Sequence, residues 1–196
     1  MRTVKLLCGA AALACVAAAA NPLVSFRILP NMPPCLISII EQIQGPNFIF
    51  SPWEGQTAAA LIEAWRAVAR GEVDVALAGA ADTAAHPATF VYLRQEGHLG
   101  PEEYPASAAA YAVLEREDTA QRDGQPALAR LRNLALNARQ AEGISDPLAP
   151  RLGRTFAAAP ALLLALASLL PEEHLPVTRL TGVDGQTFSL DLEARA

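Results

Sequence analysis

Apolar and polar positions alternate with different periods along the 196-residue chain, and those periods predict its elements. The first clear helical pattern covers about Gln56 to Arg70. Leu61, Trp65 and Val68 fall on one face, Glu63, Arg66 and Arg70 fall elsewhere, and Gly71 ends it. The preceding "NFIF" is β-prone and lies between Gly45-Pro46 and Pro52. The following "DVALAGAAD" is a run of small and apolar residues, as in a strand covered on both faces. Strand, helix and strand in that order predict a right-handed crossover and a parallel pair.

Farther along, "ASAAAYAVLERE" reads as a strand and "ALARLRNLAL" fits strand or helix. Phe156 to Leu170 is an apolar helix stopped by Pro171, and "QTFSLDLEA" alternates as a last strand after an Asp184-Gly185 turn. Before residue 45, "NPLVSFRILPNMPPCLISIIEQIQ" holds two short apolar helical segments separated by Pro30, Asn31, Pro33 and Pro34. No fixed-period repeat is visible, and the polar, turn-rich "EDTAQRDGQP" is the best internal boundary.

Composition narrows the class. A 52% hydrophobic and 18% charged chain has enough apolar surface to fold as a compact globule, with alanine supplying much of it. A net charge of -5 with scattered arginines gives no basic stripe for nucleic acid. Cys8, Cys15 and Cys35 form no CxxC and have no nearby histidine pair, so neither a zinc site nor a disulfide framework is indicated, and a reducing cytoplasm is the default. The N-terminus reads two ways. "MRTVKLLCGAAALACVAAAAN" has the basic start, apolar run and small residues of a signal peptide, and equally those of a buried alanine-rich helix ending before Asn21-Pro22.

The segment "GPNFIFSPWEGQTAAALIEAWRAVARGEVDVALAGAAD" resembles the β-ketoacyl synthase family of the thiolase superfamily. In that family a Gly-Pro pair precedes a strand ending in a nucleophilic cysteine, which opens a helix closing with Gly-x-x-Asp before an "AGG"-type strand. Gly45-Pro46, Gly71, Asp74 and Leu77 to Asp82 fall on that frame without a gap, and Glu54 then takes the cysteine position. A family cysteine is activated there because helix amides and the helix dipole favour thiolate. A carboxylate is welcome at the same place but accepts acyl groups poorly. "PRLGRTFAAAPALLLAL" is similar to the family's Gly-His-(Thr/Ser)-x-Gly-Ala-Ala helix start, with Arg154 in place of the histidine. The family's other histidine loop, His-Gly-Thr-Gly-Thr, has no counterpart. In the family, that histidine pair stabilises the enolate formed when malonyl thioester loses carbon dioxide. Arginine, permanently charged, cannot act as a neutral imidazole. His86, His98 and His174 lie outside these frames.

The resemblance implies a reduced thiolase-like α/β fold with a mostly parallel core sheet packed with helices. Residues 1–118 correspond to the family's N-terminal half and 119–196 to a shortened C-terminal half, together one compact domain. It further implies a non-catalytic, chain-length-factor-like pseudoenzyme of fatty-acid or polyketide biosynthesis. Such a protein would pair with an active ketosynthase or with itself as a dimer, and would hold no cofactor beyond contact with the phosphopantetheine of an acyl carrier protein. The alternative is a residual decarboxylase, hydrolase or acyltransferase with Glu54 as base. An exported helical protein is a third reading.

The remaining residues have plainer readings. Glu54 can cap the free amides of its helix, and Arg154 can pair with Glu54 as a plug or face solvent. Trp53 reads as a core or interface anchor, and Asp74 and Asp82 as turn or cap residues. Gly79 marks close backbone packing, "GPEEYP" a solvated turn, and "GVDGQ" is too short for a nucleotide loop.

Overall fold

The computed structural model describes residues 32–50, 53–124, 127–137, 145–170 and 178–194. The chain divides into two compact units, residues 1–49 and 50–196. In the first, α1 (Met32–Ile40) starts inside the Pro-rich stretch, with Pro33 and Pro34 in its first turn, and the Ser38 hydroxyl donates to the Cys35 carbonyl at 2.9 Å. Cys8, Cys15 and the N-terminal segment lie outside the described residues.

The second unit contains α2 (Glu54–Ala69), β1 (Val75–Thr83), α3 (Pro87–Gln95), β2 (Ser107–Glu115), α4 (Glu117–Asp123) and β3 (Ala129–Asn137). It continues with a short α5 (Ala149–Leu152), a 3₁₀ turn over Phe156–Ala158, α6 (Ala159–Leu169), β4 (Arg179–Thr181) and β5 (Thr187–Ala194). β1 and β2 form one sheet, and β3, β5 and β4 form another in that order. α2 and α6 touch each other and both sheets, so they make the middle layer of three.

The middle layer is apolar because it is covered twice. Ala58, Leu61 and Ile62 of α2 and Leu163 and Leu164 of α6 meet Ala78 and Ala110 on one side. On the other they meet Leu134, Leu180, Phe188 and Leu190. Alanine in β1 and β2 lets the helices approach that sheet closely. Gly79 does the same between strands: a Cβ there would stand 2.6 Å from the Tyr111 Cα and closer still to the Ala110 carbonyl.

The expected parallel pair does not form. Asn47–Phe50 belongs to no ladder, and every described ladder is antiparallel. β1 pairs instead with the strand that follows it: residues 84–106 leave and return at the same end of the sheet, bringing Ser107 opposite Thr83, so that pair is antiparallel. "ALARLRNLAL" resolves as strand β3, because Leu131, Leu134 and Leu136 all face the helices. The polar stretch after β2 contains α4, which ends at Gly124 in the left-handed conformation.

Gly79→Ala is expected to lower stability by about 1–3 kcal/mol, since the new methyl meets backbone that cannot step aside. Urea unfolding of the two proteins checks this, with an unchanged midpoint as the contrary result.

Candidate functional site

Glu54 is the first residue of α2, and its side chain is 3% exposed. Trp53 takes the cap position but supplies no side-chain cap bond. The cap comes instead from the β4–β5 turn: the Gly55 N–H donates to Asp184 Oδ2 at 3.2 Å, and the Gln186 N–H donates to Asp184 Oδ1 at 3.0 Å. The same turn lies directly on Glu54, and a Cβ on Gly182 would be 2.9 Å from that of Glu54. The capping task proposed for Glu54 therefore belongs in part to Asp184. The sequence marks Asp184 only as a turn residue, because nothing local shows that its turn folds onto a helix start 129 positions earlier.

Arg154 reaches the same place from the other half of the chain. Its N–H donates to the Tyr104 carbonyl and its carbonyl accepts from the Ala106 N–H, both at 2.8 Å. These bonds fix the backbone just before β2. Two residues on, Phe156 has φ +40, a left-handed conformation that a bulky residue adopts only under packing constraint. Its ring lies under the guanidinium at 5.3 Å.

The two positions converge. Arg154 Nη2 stands 3.6 Å from Glu54 Oε1, with the arginine side chain 2% exposed. At that length the pair is ionic without a hydrogen bond. Glu54 Oε2, Arg154 Nε and the Thr155 hydroxyl have no hydrogen-bond partner among the described residues. Burial pushes the Glu54 carboxyl above its ordinary value, with nearby Asp184 adding to the rise. The N–H groups of Glu54 and Val183 and the charge of Arg154 act in the opposite direction.

Arg154 also lines a cleft of about 660 Å³, whose walls include Glu102, Glu103, Asp146 and Arg151. Asp146 caps α5 by accepting from the Leu148 N–H at 2.9 Å, and burial raises its pKa while Arg154 opposes the rise. The "GPEEYP" turn on the cleft wall is tied down rather than freely solvated. Arg94 donates to the carbonyls of Gly100 at 2.6 Å and Pro101 at 2.8 Å, and the Gly100 N–H donates to Glu103 Oε2 at 2.8 Å.

The other candidates separate by role. Asp82, at the end of β1, accepts from the Ala157 N–H at 3.3 Å and so caps the turn leading into α6; burial is the main cause of its raised pKa. Asp74 lies 4.0 Å from Arg116. His86 caps α3, its Nδ1 accepting from the Ala88 N–H at 3.2 Å. His98 meets the Trp53 ring edge-on at 6.0 Å, on a tryptophan that is 36% exposed. His174 lies outside the described residues. No group of described residues could hold a metal ion, and no described helix is long and apolar enough to cross a membrane.

Neutralising one member leaves the other charge buried. Arg154→Met strands the Glu54 carboxylate and is expected to destabilise by about 3–5 kcal/mol at pH values where Glu54 is ionised, and Glu54→Gln with Arg154→Met to recover most of that loss. Denaturant midpoints of wild type, both single variants and the double variant measure the coupling, and additive losses would show that the charges do not interact. The pH dependence follows from the raised Glu54 pKa. Its contribution to stability is fully present below the unfolded value of 4.5 and is lost as pH rises through the higher folded value. Melting curves across that interval should fall more steeply with pH for wild type than for Glu54→Gln.

The sequence model for the N-terminal domain of β-ketoacyl synthases matches residues 11–118. No curated protein sequence matches the chain. Among solved structures, a chain of the AntDE:AntF complex, a type II polyketide-synthase acyl carrier protein with its ketosynthase bound to the hexaketide, superposes with a TM-score of 0.73 at 15% identity. That match covers 89% of this chain and 67% of the other. A β-ketoacyl synthase from Burkholderia phymatum STM815 gives 0.64 at 14% identity, covering 86% and 66%. An oxazolomycin ketosynthase domain from Streptomyces albus JA3453 gives 0.52 at 25% identity, covering 59% of this chain and 22% of that one. The chain thus spans about two thirds of the first two structures and about a fifth of the third. The first two likenesses show the thiolase-like fold, and with more than half of its residues matched by the family's own sequence model, the chain belongs to the β-ketoacyl synthase family.

Proposed function

We propose that this protein is a non-condensing member of its family, a chain-length-factor-like partner of an active ketosynthase in fatty-acid or polyketide synthesis. The observation that carries the reading is the buried Glu54–Arg154 pair, formed by the residues that occupy the nucleophile and histidine positions of the family frame. A carboxylate held against a guanidinium is a weak nucleophile, and an acyl-glutamate would be an anhydride open to hydrolysis. Neither charge can be withdrawn without stranding the other. The pair closes the former reaction centre.

Several further assignments belong to the same reading. Residues 1–118 are the N-terminal-half-like region and 119–196 the shortened C-terminal half, a division supported by the family match ending at residue 118. That match begins at residue 11, within the N-terminal apolar run, and a cytoplasmic protein belongs to the same reading. Contact with the phosphopantetheine of an acyl carrier protein is supported by the AntDE:AntF ketosynthase, which is bound to its carrier protein.

A second reading rests on Glu54 itself, whose Oε2 has no hydrogen-bond partner among the described residues and whose pKa is raised by burial. A residual acyl-thioester hydrolase or decarboxylase would use it. Incubating the purified protein with malonyl and acyl thioesters separates the two. No covalent acyl adduct by intact-mass analysis and no thioester loss is the expected outcome. Turnover that disappears in Glu54→Gln would support the second reading, and acylation or condensation by the chain alone would overturn the first.

A further inference from the structure

Arg94 stands in the last turn of α3, half-buried, where an arginine ordinarily answers the free carbonyls of its own helix. Here it reaches past the helix end. Nη1 donates to the Gly100 carbonyl at 2.6 Å, and Nη2 donates to those of Pro101 at 2.8 Å and Glu103 at 3.4 Å. Three carbonyls converge on one planar fork, an arrangement that suits a guanidinium and that the compact ammonium of lysine cannot span. The guanidinium also lies 5.3 Å from the ring centre of Phe90, one turn earlier on α3. Phe90 in turn stacks on Tyr104, with ring centres 6.4 Å apart and planes 7° from parallel. Residues 100–104 are thus held from α3 through their backbone and through an aromatic ring.

The far end of that segment carries Arg154. Its N–H bonds to Tyr104 and its carbonyl to Ala106, both at 2.8 Å, and Pro105 pairs with it as an isolated parallel bridge. Gly153 permits the approach: its φ is +76, and a Cβ there would stand 2.9 Å from the Tyr104 carbonyl oxygen. The side chain of Arg154 is held less firmly than its backbone. It approaches Glu54 at 3.6 Å without a hydrogen bond, and Nε has no partner among the described residues. A cation with no directional bond to its counter-ion takes its place from where its backbone is fixed and from the Phe156 ring beneath it. We infer that Arg94 is a positioning residue for the Glu54–Arg154 pair: by fixing residues 100–106 it sets where Arg154 stands against Glu54. Without Arg94 the loop loosens, the Arg154 backbone loses its fixed support and the ionic contact lengthens. In a dry interior that lengthening weakens the attraction more than it would in water.

The inference goes beyond the proposed function and does not rest on it, because it concerns how the pair is held and not what the pair prevents. Its readout is the ionisation of Glu54. Arg154 favours the Glu54 carboxylate, while burial and Asp184 disfavour it; Arg154 also acts on Asp146, where Glu103 opposes it. Moving Arg154 away therefore raises the Glu54 midpoint further. Carbon-13 NMR titration of glutamate-labelled protein follows that midpoint, with the Glu54 signal assigned by its loss in Glu54→Gln. Arg94→Met should place the midpoint above that of wild type and no higher than that of Arg154→Met. Arg94→Lys, which keeps a charge beside Phe90 but lacks the fork, should fall between wild type and Arg94→Met. Arg132→Met, which removes an exposed arginine paired with Glu193, should leave it unchanged. A merely structural role lowers the melting temperature of the Arg94 variants and leaves the Glu54 midpoint at the wild-type value, and that result overturns the inference. Hydrogen exchange on wild type gives a readout that needs no variant. The Glu103 N–H bonds to the Gly100 carbonyl inside the held loop, so an opening that frees it should free the Arg154 N–H as well. With intrinsic rates taken into account, Arg154 should exchange at least as fast as Glu103, and an Arg154 amide about tenfold slower or more overturns the inference.

Discussion

A carboxylate and a guanidinium buried together set terms that the surrounding structure has to meet. Each charge loses water on leaving solvent, and Coulomb attraction offsets that loss only while the partners stay close and screened from competitors. Glu54 arrives on the first turn of α2 and Arg154 on the chain entering α6, so the two helices of the middle layer must keep their starts at one end. The backbone bonds of Arg154 to Tyr104 and Ala106 fix one side of this arrangement. Asp184, bonded to the Gly55 N–H, fixes the other. At 3.6 Å, with Oε2 and Nε unpartnered among the described residues, the pair is not an optimised ion pair, and it orders the site more than it stabilises the fold.

The same terms govern what the site can do. A helix start offers free amides and a positive dipole end to whatever occupies its first turn, a setting that serves a thiolate nucleophile well. With Glu54 in that seat, the helix amides and Arg154 all favour the anion, while burial opposes it more strongly than any one of them. Burial thus disfavours the carboxylate form that an attack would require. Membership of the family by fold does not by itself supply condensing chemistry, which depends on the groups at this site.

Strand arrangement shows how a reduced chain still closes a core. α2 and α6 are covered on both sides, yet the outer surfaces of the two sheets differ in kind, one charged and one apolar. Among the described residues β1 is bonded along one edge only, and its alanine and glycine allow close helix packing from within.

Much of this was written in the order of residues. The helix of 54–69 follows from the spacing of Leu61, Trp65 and Val68, β5 from the alternation of "QTFSLDLEA", and the packing role of Gly79 from a glycine inside a strand. The family frame located Glu54 and Arg154, because helix starts and their flanking glycines are local patterns. Direction of pairing was not local: antiparallel β1 and β2 depend on where residues 84–106 return the chain, which periodicity does not encode. Asp184 as the cap of α2 was equally invisible, since a turn residue becomes a cap only when tertiary packing brings a distant helix to it. The sequence by itself determined α2, α6 and β5 and which residues stand at the two helix starts, since these depend on neighbours a few positions away, whereas the strand expected at 47–50 and the helices α3 and α4 were not legible in it. Only the tertiary structure decided that Glu54 and Arg154 meet in a dry interior, because the distance between two charges a hundred residues apart is set by how the layers stack.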